Sequence, residues 1–319
     1  MNPDRLKLTP SSPRATRQSP SPPSGVSGPA DARAGACEPS APPANPHDDV
    51  FLHSHNDYDR AHPIDDALAA HADSLEVDVH LQNQVRWHWP GLSRLAHGDL
   101  GFRREPALLV GHGSLEATLH HDTLEDLYLK PLQQKIDAAG GQLPDGPLTL
   151  MIDLKSEKRD GDKMSAWKNI APVLERYRSM LTRYENGREI PGAVNVVISG
   201  TTPEVRNAIA QAPTRYTAID GTLGDLDHSP SPTLTPQVSA RWSDVFHWNG
   251  KGPMPEAERE RLRDLTAKGN AQGIRVRFWE APDNPQAWCE LVDAGAEVNT
   301  DQPQAFARWL EQRQGAAGS

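Results

Sequence analysis

Short apolar segments alternate with longer amphipathic segments along this chain from residue 48 onward. The apolar segments have the length of β-strands, and turn residues such as Gly, Pro, Asn and Asp separate them from their neighbours. Because strand-like and helix-like segments take turns, the pattern predicts parallel βαβ units. The nine predicted strands are 50–55, 74–81, 107–112, 148–155, 193–200, 216–220, 243–248, 274–281 and 296–300.

The segments between these strands predict helices. Segment 63–72 starts with Pro63 at a first helical position and carries Ile64, Leu68 and Ala72 at helical spacing. The stretch "TLEDLYLKPLQQKIDAAGG" ends in glycines, as helix C-termini commonly do. Further helices are predicted over 203–212, 255–273 and 285–295.

Nine strands exceed the eight of a closed barrel. Segment 107–112 follows 80–89 without a good helix between them, so we interpret it as part of an excursion beyond the second barrel strand, with an insertion over 82–106. Eight strands then remain over about 260 residues, which predicts an α/β fold of the (β/α)8 TIM barrel type. The alternative is an open doubly wound sheet, which would usually carry a Gly-rich phosphate loop that this chain lacks.

Residues 1–47 differ from the rest because they are rich in Pro, Ser, Ala and Gly. Such a segment buries too little apolar surface to offset its ordering entropy, so it is predicted to be disordered. It contains no apolar core of a signal peptide. We therefore expect a disordered segment over 1–47 and a single barrel domain over 48–313, with the cellular compartment left open.

The composition argues against several kinds of binding partner and site. The chain carries 33 basic and 43 acidic residues, a formal net charge of −10, which argues against a nucleic-acid partner. No apolar run approaches the roughly 18 residues that span a bilayer. The two cysteines, Cys37 and Cys289, form no zinc or CxxC motif, and no structural disulfide is expected. The oligomeric state stays open.

Acidic side chains lie at the ends of two predicted strands. Glu76 and Asp78 in "LEVDV" share one strand face, and Asp153 ends the strand "LTLMIDLK". The carboxyl ends of barrel strands form one rim, where active sites are built. Three carboxylates there would suit a hard cation such as Mg²⁺ or Ca²⁺. The alternative for Glu76 and Asp78 alone is an edge strand with solvated carboxylates.

Several other side chains fall on the same predicted rim. His55 and His112 both end apolar segments, and as a pair beside a cation they suit general acid and base catalysis. Lys155 follows Asp153 by two residues and could hold an anionic oxygen. Trp279 near a strand end could form a pocket wall. Taken singly, each histidine is more often structural than catalytic.

The motifs and their order along the chain resemble the phospholipase-C-like phosphodiesterase superfamily, in particular the glycerophosphodiester phosphodiesterase type. The stretch "HSHNDYDRAHPIDDAL" is most similar to the altered-inheritance-of-mitochondria protein six family. A strand-end His, an ExD pair, a second strand-end His, an acid-x-Lys, a late Trp and "NTDQP" follow one another between residues 50 and 310.

The resemblance implies a TIM barrel whose Glu76, Asp78 and Asp153 hold Mg²⁺ or Ca²⁺. It also implies that His55 and His112 act as acid and base. Lys155 would stabilise charge on the phosphate of a glycerophosphodiester or phospholipid-like substrate.

The chain departs from that pattern at the first motif. Asn56 and Asp57 follow His55 where the diesterases have Arg and Gly. Arg60 is therefore the candidate replacement for a phosphate-binding arginine, and Asn56, Arg60 and Trp279 are the predicted substrate contacts. The alternatives are an amidohydrolase-type metal hydrolase, suggested by His53 and His55 on one strand, and a non-catalytic barrel that binds a cation.

Overall fold

The computed structural model describes residues 50–89, 100–155, 161–186 and 188–317. Eight parallel strands form the main sheet. Their spatial order is β11 (Arg275–Trp279), β10 (Gln237–Arg241), β9 (Ala218–Thr222), β7 (Val194–Ser199), β4 (Leu148–Lys155), β2 (Ser74–Trp87), β1 (Leu52–Ser54) and β12 (Val298–Thr300). A bridge between Arg277 and Glu297 brings the two ends of this order together. The sheet therefore curves into a nearly closed barrel, and the predicted TIM-barrel fold is confirmed.

Helices lie between the strands and cover the outer face of the barrel. Their boundaries follow local sequence signals. Thr202 and Asn284 accept backbone N–H groups at the starts of α5 (Pro203–Ala210) and α8 (Pro285–Ala294), and each is followed by proline. The helices are α1 (Asp65–Ala69), α2 (Ser114–His120), α3 (Lys130–Ala138), α4 (Gly161–Arg176), α5 (Pro203–Ala210), α6 (Trp242–Val245), α7 (Glu256–Asn270), α8 (Pro285–Ala294) and α9 (Pro303–Ala317). Short 3-10 helices span Asp57–Asp59 and Leu223–His228, and a π-helical turn spans Glu125–Leu129.

Strand β3 (Phe102–Val110) and a small three-stranded sheet lie outside the eight strands of the barrel. Strand β3 pairs antiparallel with β2 over nine residue pairs, from Val79 with Val110 to Trp87 with Phe102. The two strands form a hairpin that extends beyond the barrel, so the predicted excursion is confirmed. The small strands β5 (Arg183–Glu185), β6 (Arg188–Ile190) and β8 (Thr214–Arg215) form a separate three-stranded antiparallel sheet.

One predicted barrel strand is wrong. The segment 243–248 does not form a strand; it holds part of helix α6 and an irregular stretch, and the barrel strand is β10 just before it. Trp242 and Phe246 point from this turn into an aromatic cluster with Phe278, with ring centroids 4.3–5.8 Å apart. Their apolar character therefore reflects packing beside the barrel, and the strand itself carries few apolar residues.

Successive side chains of a barrel strand point alternately to the hydrophobic cluster and to the barrel axis. On β2, Val77 and Val79 are fully buried in the main hydrophobic cluster, whereas Glu76 and Asp78 lie on the other face. The polar face of β2 thus points toward the barrel axis and its carboxyl rim.

Three expectations concern other parts of the chain. The predicted disordered segment 1–47 lies outside the described residues, as does 90–99 within the 82–106 insertion. Cys289 is buried on α8, whereas Cys37, on which the disulfide expectation also depends, lies outside the described residues. Among the described helices, none is long and apolar enough to cross a membrane.

Candidate active site

The three predicted acids converge at the carboxyl rim. Strands β2 and β4 are parallel neighbours in a register that pairs Asp78 with Asp153, while Glu76 lies one pleat deeper on β2. Glu76, Asp78 and Asp153 each offer an oxygen within 4.8 Å of the others. Within the described ranges, this is the one group of at least three His, Cys, Asp or Glu residues that meets that limit. The sequence prediction that they lie together is therefore confirmed.

Asp78 is the central carboxylate of the group. Its Oδ2 is 2.9 Å from the Tyr58 hydroxyl and 3.0 Å from Lys155 Nζ. Its Oδ1 is buried and accepts no hydrogen bond from any residue that the structure describes. Burial raises the pKa of Asp78 to about 6. A buried oxygen without a donor carries a desolvation cost, which coordination to a cation would remove.

Asp153 is held by its neighbours on β4 and β7. Ser199 donates a hydrogen bond to its Oδ1 at 2.7 Å, and Lys155 Nζ is 2.5 Å from its Oδ2. Gly200 follows with a φ of +63°, and a Cβ there would lie 2.5 Å from Asp153 Oδ1. Glycine is needed at this position both for the backbone conformation and for the approach of the carboxylate.

Lys155 bridges two of the three acids. Desolvation alone would lower the pKa of Lys155, but the charges of Asp153 and Asp78 raise it well above its usual value. The lysine is therefore a permanent cation at the rim, and it neutralises part of the negative charge on the acids.

Glu76 is tied to a buried arginine that the sequence reasoning did not identify. Arg277 on β11 is 4% exposed, and its Nη1 is 2.7 Å from Glu76 Oε2 and 2.9 Å from Asn299 Oδ1. Burial alone would raise the pKa of Glu76, but Arg277 and a hydrogen bond with His53 hold it well below its usual range. Glu76 is therefore a carboxylate at any physiological pH.

His55 lies at the rim just after β1. Its Nδ1 is 2.8 Å from Asp301 Oδ1, and its Nε2 is 3.9 Å from Glu76 Oε2. Desolvation opposes its charged form, but the hydrogen bond to Asp301 and the charge of Glu76 raise the pKa of His55. Asp301 thus orients the ring so that Nε2 faces the carboxylates.

His112 lies beside Asp78, whereas His55 lies beside Glu76. Its Nδ1 is 3.6 Å from Asp78 Oδ2, and its side chain is 72% exposed. Its backbone N–H donates to Glu116 at 3.1 Å, which fixes the turn between β3 and α2. A Cβ at the preceding Gly111 would lie 2.8 Å from the backbone nitrogen of Ala117, so the turn packs closely on α2. The two predicted histidines therefore flank the acidic cluster.

The predicted substrate contacts have differing surroundings. Asn56 has a φ of +46° and donates to Asp301 at 3.3 Å. Arg60 binds the buried Asp57 at 3.0 Å and the backbone oxygen of Asp301 at 2.9 Å, contacts that order the loop after β1. Trp279 is half-buried at the end of β11, with the Arg241 guanidinium 5.5 Å from its ring centroid.

His53 bears on the amidohydrolase alternative. It is fully buried, and its Nε2 is 2.8 Å from Glu76 Oε2 while its Nδ1 is 2.8 Å from Ser74 Oγ. Burial and the charge of Arg277 lower the pKa of His53 to about 4. Both ring nitrogens are engaged with protein groups, so His53 supports Glu76 and is poorly placed as a metal ligand.

Three residues near the acids were not assigned a role from the sequence. Asp301 lies within the motif "NTDQP" but was given no role, whereas Tyr58 and Arg277 were not singled out at all. Arg277 shares a strand face with Trp279, two residues away, and this spacing is the signal that could have identified it.

The donor set fits a hard divalent cation. Carboxylate oxygens are the ligands that Mg²⁺ and Ca²⁺ prefer, and one of them, Asp78 Oδ1, is buried without a donor among the described residues.

Known proteins are similar to this chain in sequence and in fold. No family model matches the chain. The protein named Altered inheritance of mitochondria protein 6 from Eremothecium gossypii is 25% identical over 288 aligned positions, covering 81% of this chain and 69% of that protein. Its namesake from Zygosaccharomyces rouxii is 23% identical over 264 positions, covering 74% of this chain and 61% of that protein. The chain thus spans about two thirds of the length of these curated relatives.

Solved structures with a similar backbone fold include a phosphodiesterase and a phospholipase C. A glycerophosphodiester phosphodiesterase from Parabacteroides distasonis covers 83% of this chain and 98% of its own, with a TM-score of 0.48 and 14% identity. A calcium-dependent phosphoinositol-specific phospholipase C from a Pseudomonas species covers 81% of this chain and 88% of its own, with a TM-score of 0.47 and 15% identity. The chain is similar in sequence to the Altered inheritance of mitochondria protein 6 relatives, which confirms the resemblance that its motifs indicated.

Proposed function

We propose that this protein is a metal-dependent phosphoric diester hydrolase that acts on a glycerophosphodiester or phospholipid-like substrate. The observation that carries the proposal is the convergence of Glu76, Asp78 and Asp153 between two histidines, with Asp78 Oδ1 buried and without a donor among the described residues. Acids alone would suit many cation sites. Acids flanked by two titratable imidazoles and a lysine suit the cleavage of an anionic ester.

Glu76, Asp78 and Asp153 would hold Mg²⁺ or Ca²⁺. When bound, such an ion polarises a phosphoryl oxygen and offsets negative charge in the transition state. Lys155, a permanent cation beside Asp78 and Asp153, would pair with a second non-bridging oxygen of the diester. Charge stabilisation and positioning of this kind supply most of the rate in phosphoryl transfer.

The histidines take different proton-transfer roles in this proposal. The raised pKa of His55 favours its imidazolium form, so His55 Nε2 would donate a proton to the leaving alcohol as the P–O bond breaks. His112 would accept the proton of the attacking oxygen, from water or from a hydroxyl of the substrate, as the new P–O bond forms. Asp301 would keep His55 in the donating orientation.

A substrate panel tests the proposal. Protein stripped with EDTA and reloaded with Mg²⁺ or Ca²⁺ is assayed on glycerophosphodiesters, lysophospholipids and an aryl phosphodiester, and we expect turnover of at least one of them. No turnover of any of the three by folded, cation-loaded protein would contradict it. Glu76→Ala should abolish turnover in an enzyme, whereas in a cation-binding barrel it would change only cation affinity or stability.

A further inference from the structure

Exposed apolar side chains are concentrated in one part of the molecule. The described chain has seven large hydrophobic residues with more than half of their surface exposed, and all of them lie between residues 85 and 119. Single exposed apolar residues are common on protein surfaces, but a cluster marks an interaction site. The seven residues are Val85, Trp87, Trp89, Leu100, Phe102, Leu115 and Leu119.

Three aromatic residues of this set lie together at the outer end of the β2–β3 hairpin. Trp87 is directly opposite Phe102 in the antiparallel register, so their side chains are on the same face. The rings of Trp87 and Trp89 are 6.1 Å apart at the centroids. The exposed fractions are 56% for Trp87, 64% for Trp89 and 57% for Phe102. We call this surface the aromatic hairpin face.

The base of the same hairpin is firmly packed. Ala107 and Leu109 on β3 are buried against Ala117 of α2. Gln82 on β2 donates to the backbone oxygen of Ser114 at 2.8 Å and accepts from the Thr118 hydroxyl at 2.6 Å. The aromatic hairpin face is therefore carried by a support that α2 fixes to the barrel.

This support leads directly to the candidate active site. Strand β3 ends at Val110, and His112 follows two residues later with its Nδ1 3.6 Å from Asp78. Helix α2 begins just beyond His112 and carries the exposed Leu115 and Leu119. The apolar surface therefore borders the site on the side of His112.

The charge of the hairpin ends differs from that of the whole chain. The described ends 85–89 and 100–105 contain three arginines, Arg86, Arg103 and Arg104, and one acidic residue, Glu105, which lies 2.9 Å from His88, whereas the chain as a whole has a net charge of −10. Tryptophan beside arginine is the combination found where proteins meet the headgroup region of a bilayer. An anionic lipid surface complements both the aromatic rings and this local positive charge.

We propose that the aromatic hairpin face docks on the surface of a phospholipid bilayer that contains anionic lipid, with Trp87, Trp89 and Phe102 entering the headgroup region. Docking in this way holds the rim beside His112 within about 26 Å of the headgroups, because eight residue steps along β3 separate Phe102 from Val110. That the docked lipid supplies the diester rests on the proposed function, whereas the docking itself depends only on the hairpin surface.

Vesicle flotation with the full chain tests the docking. The vesicles are phosphatidylcholine alone or phosphatidylcholine with phosphatidylglycerol, and we expect stronger binding to the anionic vesicles. The double variant Trp87→Ser, Phe102→Ser should bind about tenfold more weakly or worse, because two buried aromatic contacts with lipid are lost. Arg104→Gln should weaken binding only to the anionic vesicles, and Arg263→Gln, at an exposed position of α7, is the matched control that should leave it unchanged.

Three results would overturn the docking: no binding of the full chain to either vesicle, equal binding by the double variant, or a solution dimer that the double variant converts to monomer. The last would show that a second copy covers the hairpin. Turnover of a water-soluble diester should be the same in the double variant, and turnover of vesicle lipid should fall. If vesicles are bound but no diester is cleaved, the proposed function fails and the docking stands.

Discussion

The substitution Arg277→Gln tests how a buried cation inside the barrel stabilises the carboxylate of Glu76. The Arg277 guanidinium is almost fully buried, and Glu76, Asn299 and Ser239 all lie within 3.1 Å of it. Glutamine keeps a polar group but removes the charge. In EDTA the carboxylate of Glu76 then stays buried without its cationic partner, and breaking such a pair costs about 3–5 kcal/mol of unfolding free energy.

The same substitution should strengthen the response to a divalent cation. At an effective dielectric constant of about 20, a unit charge at hydrogen-bonding distance interacts with a carboxylate by on the order of 4 kcal/mol. Arg277 therefore competes with any cation for Glu76. Without it, we expect the rise in unfolding free energy on adding Mg²⁺ or Ca²⁺ to be larger than in the wild type by about 1–2 kcal/mol, about tenfold in affinity.

Chemical denaturation in EDTA and in saturating cation measures both effects. Arg275→Gln is the matched control, because Arg275 lies on the same strand and is 3.3 Å from Glu297. It also removes a cationic partner of a buried carboxylate, so it should lower stability, but it should leave the cation response as in the wild type. We expect the cation to raise the unfolding free energy of Arg277→Gln more than that of the wild type. An equal or smaller rise would refute the view that Arg277 and a cation compete for Glu76.

Further predictions concern single side chains around the site. Burial raises the pKa of Asp220 from 3.8 to about 7, so the folded protein holds this proton more tightly than the unfolded chain, and stability falls as pH rises from about 4 through about 7. Asp220→Asn should therefore match the wild type in denaturation at pH 4 and exceed it by about 2–4 kcal/mol at pH 8; an equal gain at both pH values would contradict this. Gly200→Ala should cost about 1–2 kcal/mol through its positive φ and should weaken cation binding in calorimetric titration, because the added Cβ overlaps Asp153; unchanged cation affinity would count against that placement. His112→Ala should lower kcat by about 10²–10⁴ with little change in melting temperature, because the side chain is exposed, and near-normal kcat would exclude it as a general base.

The acids could be predicted from the sequence because their signal is local. Glu76 and Asp78 alternate with valines on one strand, and Asp153 ends another, so strand periodicity and the shared rim of a barrel were enough to bring them together. His55 and His112 were identified in the same way, from their places at strand ends. The roles of these residues in catalysis stay predictions.

Arg277 and β10 were missed because their roles depend on residues far away in the chain. Arg277 contacts Glu76 across 201 positions of sequence, and although Arg275, Arg277 and Trp279 share a strand face in "IRVRFW", this spacing does not show which arginine meets the acids. Strand β10, "QVSAR", has few apolar residues. Its polar side chains bond to one another and to the next strand: Gln237 donates to Ser239, and Ser239 donates to Asp220. The more apolar segment 243–248 was chosen in its place, although it packs beside the barrel.

In the proposed function, Glu76, Asp78 and Asp153 hold a divalent cation on which diester cleavage depends. The most direct measurement is the rate of alcohol release from a phosphodiester by EDTA-stripped protein, titrated with Mg²⁺ or Ca²⁺, for the wild type and for Asp78→Asn. We expect no turnover in EDTA, saturable recovery with cation in the wild type, and no recovery at any cation concentration in Asp78→Asn. Full turnover in EDTA, or recovery in Asp78→Asn equal to that of the wild type, would contradict the claim.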